Sequence, residues 1–150
     1  MRRYSGGMQR GGAGRVALGG LALSAALAAA PLAAQTADGW ERATDPATEL
    51  RGLHNLAGDV YVSCWERSGT VHVSVPGGSA ERVTLTAGDA SAALIEVKTV
   101  SGRVTGLIPT ADPVLANAAA GGTLTVAGRV LDFSERDRRY FGLFLRICAL

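Results

Sequence analysis

The sequence is short of the residue types from which catalytic and metal sites are built. It contains two histidines, His54 and His72, and two cysteines, Cys64 and Cys148. No HxH, HExxH or CxxC spacing occurs, so a conventional zinc site lacks ligands. A GxSxG elbow, a phosphate loop and a dinucleotide fingerprint are also absent. We therefore predict a protein that is not an enzyme, with no catalytic residues, no metal and no cofactor.

Basic residues are scarce once the first 34 residues are set aside. The chain carries 15 Lys+Arg and 13 Asp+Glu, and four arginines but no acidic residue precede Gln35. Subtracting those four leaves 11 basic against 13 acidic residues, a net charge of −2. Nucleic-acid-binding domains need basic residues clustered on the folded part. We expect no nucleic-acid partner, and we assign Arg136, Arg138 and Arg139 to the solvent side of a helix.

The start of the chain has the three parts of a secretory signal peptide. A basic segment with four arginines precedes an Ala- and Leu-rich run from Val16 to Ala30, and small residues follow it. That run is shorter than the ~20 apolar residues of a spanning helix. We expect cleavage rather than a membrane anchor, and a periplasmic or secreted protein with no stable membrane span. The predicted divisions are a leader over 1–34, an N-terminal arm over 35–58 and one β-rich domain over 59–150.

The stretch from Asp59 to Val75 predicts a β-hairpin, because apolar and polar residues alternate on both sides of a Gly-containing loop. A four-residue loop would pair Ser63 with His72 and Cys64 with Val71. One face would then point to the core. Its members are Val60, Val62, Cys64, Val71, Val73 and Val75.

The rest of the chain predicts short antiparallel strands and two helices. In the arm, Asp45-Pro46 begins either a short helix or an extended segment, and Trp40 anchors this arm to the body. Three later strands are predicted: 81–86, with Val83 and Leu85 inward, 93–100, with Ile95 and Val97 on one face, and 103–108. A short helix should start at Asp112-Pro113 and stop at Gly121-Gly122. A strand over 123–133 with a bulge or bend at Ala127-Gly128 follows, and then a final helix capped by Ser134.

The two cysteines are predicted to form one disulfide, Cys64–Cys148. Exported domains favour disulfides, and the count is even. Cys64 falls in the inward phase of its strand. Cys148 shares a helical stripe with Phe141, Phe144 and Leu145. The alternative is two free buried thiols. The predicted fold is α+β: an antiparallel sheet, as one layer or as a sandwich, packed against the C-terminal helix.

Six side chains should share the outward face of the hairpin and form a candidate binding patch. They are Tyr61, Ser63, Trp65, Thr70, His72 and Ser74. Exposed aromatic residues favour interfaces, so this patch would recognise a peptide, a glycan or an envelope protein. The alternative is that the N-terminal arm or another strand covers it.

Four features follow one another along the chain: Trp40, the strand cysteine in YVSCW, a Leu- and Ala-rich helix that runs into GGTLTV, and the closing segment FGLFLRICAL. This layout resembles small exported proteobacterial proteins, such as the invasion-associated locus B family and accessory proteins of type VI secretion operons. The resemblance implies a non-enzymatic, disulfide-stapled, β-rich envelope protein. We therefore expect an exported binding or accessory module. The alternatives are a small periplasmic hydrolase or sugar-active enzyme, and an inhibitor or immunity-type protein.

Overall fold

A computed structural model describes residues 39–77 and 81–150, and the predicted leader lies outside these residues. The elements in chain order are β1 (Trp40–Thr44), β2 (Arg51–Asn55), β3 (Val60–Ser63), β4 (Thr70–Pro76), β5 (Thr84–Ala87), β6 (Ala90–Ala93), β7 (Ile95–Val100), β8 (Arg103–Pro109), α1 (Pro113–Gly121), β9 (Thr123–Val126), β10 (Arg129–Asp132) and α2 (Glu135–Cys148). One antiparallel sheet has the order β1-β2-β3-β4-β8-β7, and a second has the order β10-β9-β5-β6. The predicted α+β class is confirmed.

The hairpin of β3 and β4 supplies the centre of the core, as its alternation predicts. Its inward valines, with Val62 opposite Val73, are almost completely inaccessible to solvent. The predicted pairing of Ser63 with His72 is confirmed. Because β3 ends at Ser63, Cys64 lies in the following loop and does not pair with Val71.

The segment before this hairpin is part of the sheet, which agrees with the extended alternative and contradicts the alternative of a short helix from Asp45. A turn follows β1, and Asp45 closes it by donating its amide to the Leu50 carbonyl at 2.9 Å. The chain then returns as β2, which pairs with both β1 and β3. Strand pairing on both sides overrides the weak helical spacing of the leucines. Trp40 is the predicted anchor, since its ring stacks on Phe133 with the centroids 4.9 Å apart.

The strand predicted over 93–100 is divided between the two sheets. β6 pairs with β5 in the four-stranded sheet, and β7 pairs with β8 in the six-stranded sheet. Leu94, at the crossing, is buried and donates its amide to the Val83 carbonyl at 2.9 Å. The β7 register then shifts between Ile95 and Lys98. This irregularity leaves Ile95 53% exposed, whereas Val97 is partly buried and packs against the core.

Residues 123–133 form a β-hairpin instead of one bent strand. β9 and β10 pair, with Val126 opposite Arg129. Ala127 and Gly128 both have left-handed φ values, 48° and 78°. Two consecutive left-handed residues are the geometry of a tight hairpin turn. The change of phase in the sequence therefore marks a reversal of direction, and the predicted bulge or bend is wrong.

Both helices begin where their capping residues predict. The Asp112 carboxylate accepts a hydrogen bond from the Val114 amide at 2.9 Å, and left-handed Gly122 caps the C-terminal end of α1. Ser134 and Asp137 form a reciprocal capping box at the start of α2. Buried side chains from both sheets and both helices form one hydrophobic core. The predicted buried stripe of α2 is confirmed at Phe141, Phe144 and Cys148.

Candidate functional site

The end of α2 is fastened covalently to the loop between β3 and β4. Cys64 and Cys148 form a disulfide with their Cα atoms 5.8 Å apart, which confirms the predicted pairing. In the same loop the amides of Arg67 and Gly69 donate to the carbonyls of Ile147 and Cys148, at 2.9 and 2.8 Å. These carbonyls belong to the last turn of the helix, where no intrahelical donor remains. The loop therefore both caps and staples α2.

The six residues of the candidate binding patch do not form one exposed surface. Ser63 and Ser74 are fully buried, Tyr61, Thr70 and His72 are partly buried, and Trp65 is 67% exposed.

The two buried serines are bonded to residues from neighbouring segments. The Ser63 hydroxyl donates to the Asp45 carboxylate at 3.3 Å and lies 3.1 Å from the Thr48 hydroxyl. The Ser74 hydroxyl accepts a hydrogen bond from Arg103 Nε at 2.9 Å. The alternative of a covered face therefore holds for both serines, because the β1–β2 turn and β8 bring partners to them. Trp65 lies apart, in the loop beyond β3.

A polar network around Arg103 was missed by sequence reasoning. The guanidinium donates to the Asp59 carboxylate at 2.8 Å and lies 4.8 Å from the centre of the Tyr61 ring. His54 stacks on Tyr61 at 4.0 Å, and its Nε2 atom lies 3.1 Å from Asp59. Arg103 and Asp59 are 44 positions apart, so no local sequence signal could have paired them. The network cross-links β2, β3, β4 and β8.

Asp59 is ionised at neutral pH in this network. Burial alone would raise its pKa, but hydrogen bonds and charge from Arg103 and His54 outweigh burial and hold the pKa below its ordinary value of 3.8. The two groups at the ends of the network, Arg103 and His54, both lie within hydrogen-bond distance of the Asp59 carboxylate. Among residues 39–77 and 81–150, moreover, no group of three or more His, Cys, Asp or Glu side chains is placed to hold a metal ion. Side chains of the network come from β2, β3, β4 and β8 and so tie these four strands to one another.

Substituting Asp59→Asn should lower the free energy of unfolding at about pH 7 by about 1 kcal/mol, since half-exposed ion pairs are screened by solvent. A lowered pKa means that the ionised carboxylate stabilises the fold above pH 3.8, and that this contribution is lost as pH falls through the folded pKa. The difference in unfolding free energy between the wild type and Asp59→Asn should thus be smaller at about pH 3 than at about pH 7. Urea unfolding at both pH values measures it. Glu135→Gln, which removes an exposed ion pair with Arg139 on α2, is the control. A loss of unfolding free energy in Asp59→Asn that is equal at both pH values contradicts the prediction.

A groove of about 1050 Å³ lies between α2 and the first two strands. On the helix side it is lined by Tyr140, Leu143 and Ile147, which recur at i, i+3 and i+7 and form a second stripe beside the buried one. Leu143 is 48% and Ile147 56% exposed. The apolar surface of α2 is therefore wider than the part that the sheets cover. Sequence reasoning missed this stripe, although the apolar spacing of Leu143, Ile147 and Leu150 signals it.

On the strand side, the groove is lined by arginines of β1 and β2 that follow the last buried apolar residues on the inward face of the sheet. Trp40, Arg42 and Thr44 alternate onto the same side of β1. Arg42 lies opposite Leu53 and Thr44 lies opposite Arg51, so both arginines continue the inward face beyond its apolar part. The Arg42 guanidinium lies 6.0 Å from the centre of the Tyr140 ring. The groove thus has an apolar wall and a basic wall.

Comparison with known proteins found no relative of this chain. No family model matches the chain, and no match was found among the curated proteins or the solved structures. Within the part of the chain that the structure describes, no helix combines the length and hydrophobicity needed to cross a bilayer. What the protein does must accordingly be inferred from the groove, the disulfide and the polar network.

Proposed function

We propose that this protein is an exported binding or accessory protein of the cell envelope, without catalytic activity. The observation that carries the proposal is the exposed apolar stripe of α2 beside the groove. Exposed apolar patches rimmed by polar residues mark interaction sites, and Arg42 and Arg51 line the groove opposite Leu143 and Ile147. The disulfide holds this stripe in place, because Cys64 lines the groove and Cys148 ends the helix.

Export is supported by the cysteine chemistry and by the leader pattern. Disulfides persist in oxidising compartments and are rare in the cytosol. Residues 1–34 have the basic start, apolar run and small-residue end of a signal peptide. The resemblance in element order to small exported envelope proteins agrees with this proposal.

The absence of catalysis is supported by the state of the polar side chains. A nucleophilic serine needs a neighbouring base and access to substrate. Ser63 and Ser74 are fully buried, and the Ser63 hydroxyl donates its hydrogen bond directly to the Asp45 carboxylate, with no histidine between them. Burial lowers the pKa of His72 below its ordinary value of 6.5. His72 is thus a neutral, partly covered sheet residue at neutral pH.

Affinity capture tests this function. The full chain, expressed with its leader and purified in oxidised form, should recover the same protein reproducibly from envelope extracts and not from cytosolic extracts. A double variant, Leu143→Asp with Ile147→Asp, should lose it, because charges replace the apolar stripe. Val130→Asp is the matched control, since Val130 is 63% exposed on β10.

Two results would overturn the proposal. One is a cytosolic protein whose intact mass retains the leader. The other is hydrolytic turnover by the purified protein that disappears in His72→Ala, which would favour the hydrolase alternative. Retained capture by the groove variant together with loss in Trp65→Ala would instead move the binding surface to the predicted patch and leave the binding function standing.

A further inference from the structure

We propose that the groove between α2 and β1–β2 binds an acidic, amphipathic peptide segment of another protein. This proposal deepens the proposed binding function and depends on it. The groove supplies an apolar wall from α2 and a basic wall from the two strands. A segment with apolar side chains on one side and carboxylates on the other would satisfy both walls at once.

The charge of the groove region differs sharply from that of the remaining chain. Two shallower depressions adjoin the groove and share Leu143 with it. The basic residues that line the three are Arg42, Arg51, Arg67, Arg136, Arg139 and Arg146, against Glu66 and Glu135. Residues 35–150 contain 11 basic and 13 acidic side chains in all. Outside this region they therefore carry five basic against 11 acidic side chains. The arginines are concentrated around the apolar stripe.

Charge also argues against the chain's own leader as the occupant. Residues 1–34 carry four arginines and no acidic side chain. Placing that segment among the groove arginines would bring like charges together, which disfavours the complex.

A second copy of the chain is a poor match as well. Two copies joined through the same face would oppose their arginines across a symmetric interface. A head-to-tail contact would need an acidic surface that also carries an apolar stripe. Among the residues that the structure describes, the large exposed apolar side chains outside this region and Trp65 are scattered over different elements: Leu56, Ile95 and Val130.

The shape of the site favours a peptide over a membrane surface. Interfacial helices present a convex apolar face that sinks into the headgroup region. Here Leu143 and Ile147 form one wall of a concavity whose other wall is Arg42 and Arg51. A planar bilayer would touch the helix and leave the strand arginines unpaired. A peptide segment lying in the groove contacts both.

Fluorescence anisotropy with two synthetic peptides tests the proposal. Each has about 18 residues with leucine on one helical face, one with glutamate at the other positions and one with lysine. The oxidised full chain should bind the acidic peptide at least about tenfold more tightly than the basic one. Added salt should weaken this binding. Arg42→Glu with Arg51→Glu, and separately Leu143→Asp with Ile147→Asp, should each weaken it by about tenfold or more. Val130→Asp should bind like the wild type, and circular dichroism checks that each variant is folded.

Several outcomes would overturn the groove proposal while sparing the wider function. They are equal affinity for the two peptides, undiminished binding by folded groove variants, and co-sedimentation with vesicles of anionic phospholipid in place of peptide binding. Self-association that Leu143→Asp abolishes would assign the groove to a second copy. Capture of an envelope protein by a groove variant as efficiently as by the wild type would refute this site alone.

Discussion

Replacing both cysteines with serine is expected to lower the free energy of unfolding by about 4.5 kcal/mol. The bridge joins residues 84 positions apart, and in the chain-entropy account the stabilisation grows with the length of the closed loop. Most of the folded chain lies within this loop, including both helices. The unfolded chain without the bridge has correspondingly more conformations to lose on folding.

Urea unfolding of the oxidised wild type, the reduced wild type and Cys64→Ser with Cys148→Ser measures this effect. The hydrogen bonds from Arg67 and Gly69 to the end of α2 remain available in the variant, so the native fold should persist under mild conditions. A loss below about 1 kcal/mol would contradict the entropic account. Two alkylatable thiols in the natively purified wild type would contradict the disulfide itself.

The central strands and the helix starts could be predicted because their signals are local, and the disulfide because its cysteines have no alternative partner. The valines alternate within β3 and β4, and the cap residues Asp112 and Ser134 stand beside the helices that they start. Cys64 and Cys148 could be paired because the chain contains no third cysteine. Strand alternation and helix capping depend on residues a few positions away, and two cysteines allow one intramolecular pairing.

The missed features depend on contacts between distant residues. β2 contains Gly52 and Asn55, residue types that are depleted in strands, and its conformation follows from pairing with β1 and β3. The hairpin turn at Ala127-Gly128 was missed because alanine rarely adopts the left-handed conformation that the turn requires.

The groove could be predicted only in part. The spacing of Leu143 and Ile147 shows that α2 has a second apolar stripe, but not whether a sheet covers it. The exposure of the stripe depends on where, along β1 and β2, the inward face changes from apolar residues to Arg42 and Arg51. That boundary is set by the register between two strands, which no single segment encodes. The same holds for Arg103 and Asp59, which strand pairing brings together.

Phe141→Ala is expected to cost about 3–5 kcal/mol of unfolding free energy, the range for truncating a buried aromatic residue. Phe141 is completely buried, with its ring centroid 5.8 Å from that of Trp40 and 5.0 Å from that of Phe133. Trp40 belongs to β1, and Phe133 follows β10. The Phe141 ring therefore joins α2 to both sheets, and its loss leaves a cavity where all three meet.

Leu143→Ala is the matched control on the same helix. Its side chain is 48% exposed, so its truncation should cost less than about 1 kcal/mol. Urea unfolding followed by tryptophan fluorescence compares the two variants, because Trp40 lies beside Phe141 and is buried, whereas Trp65 is 67% exposed. In folded Phe141→Ala the emission of Trp40 should shift while that of Trp65 stays. Equal losses of stability in the two variants would show that the aromatic cluster does not hold α2 on the sheets, and the groove would then lack a rigid wall.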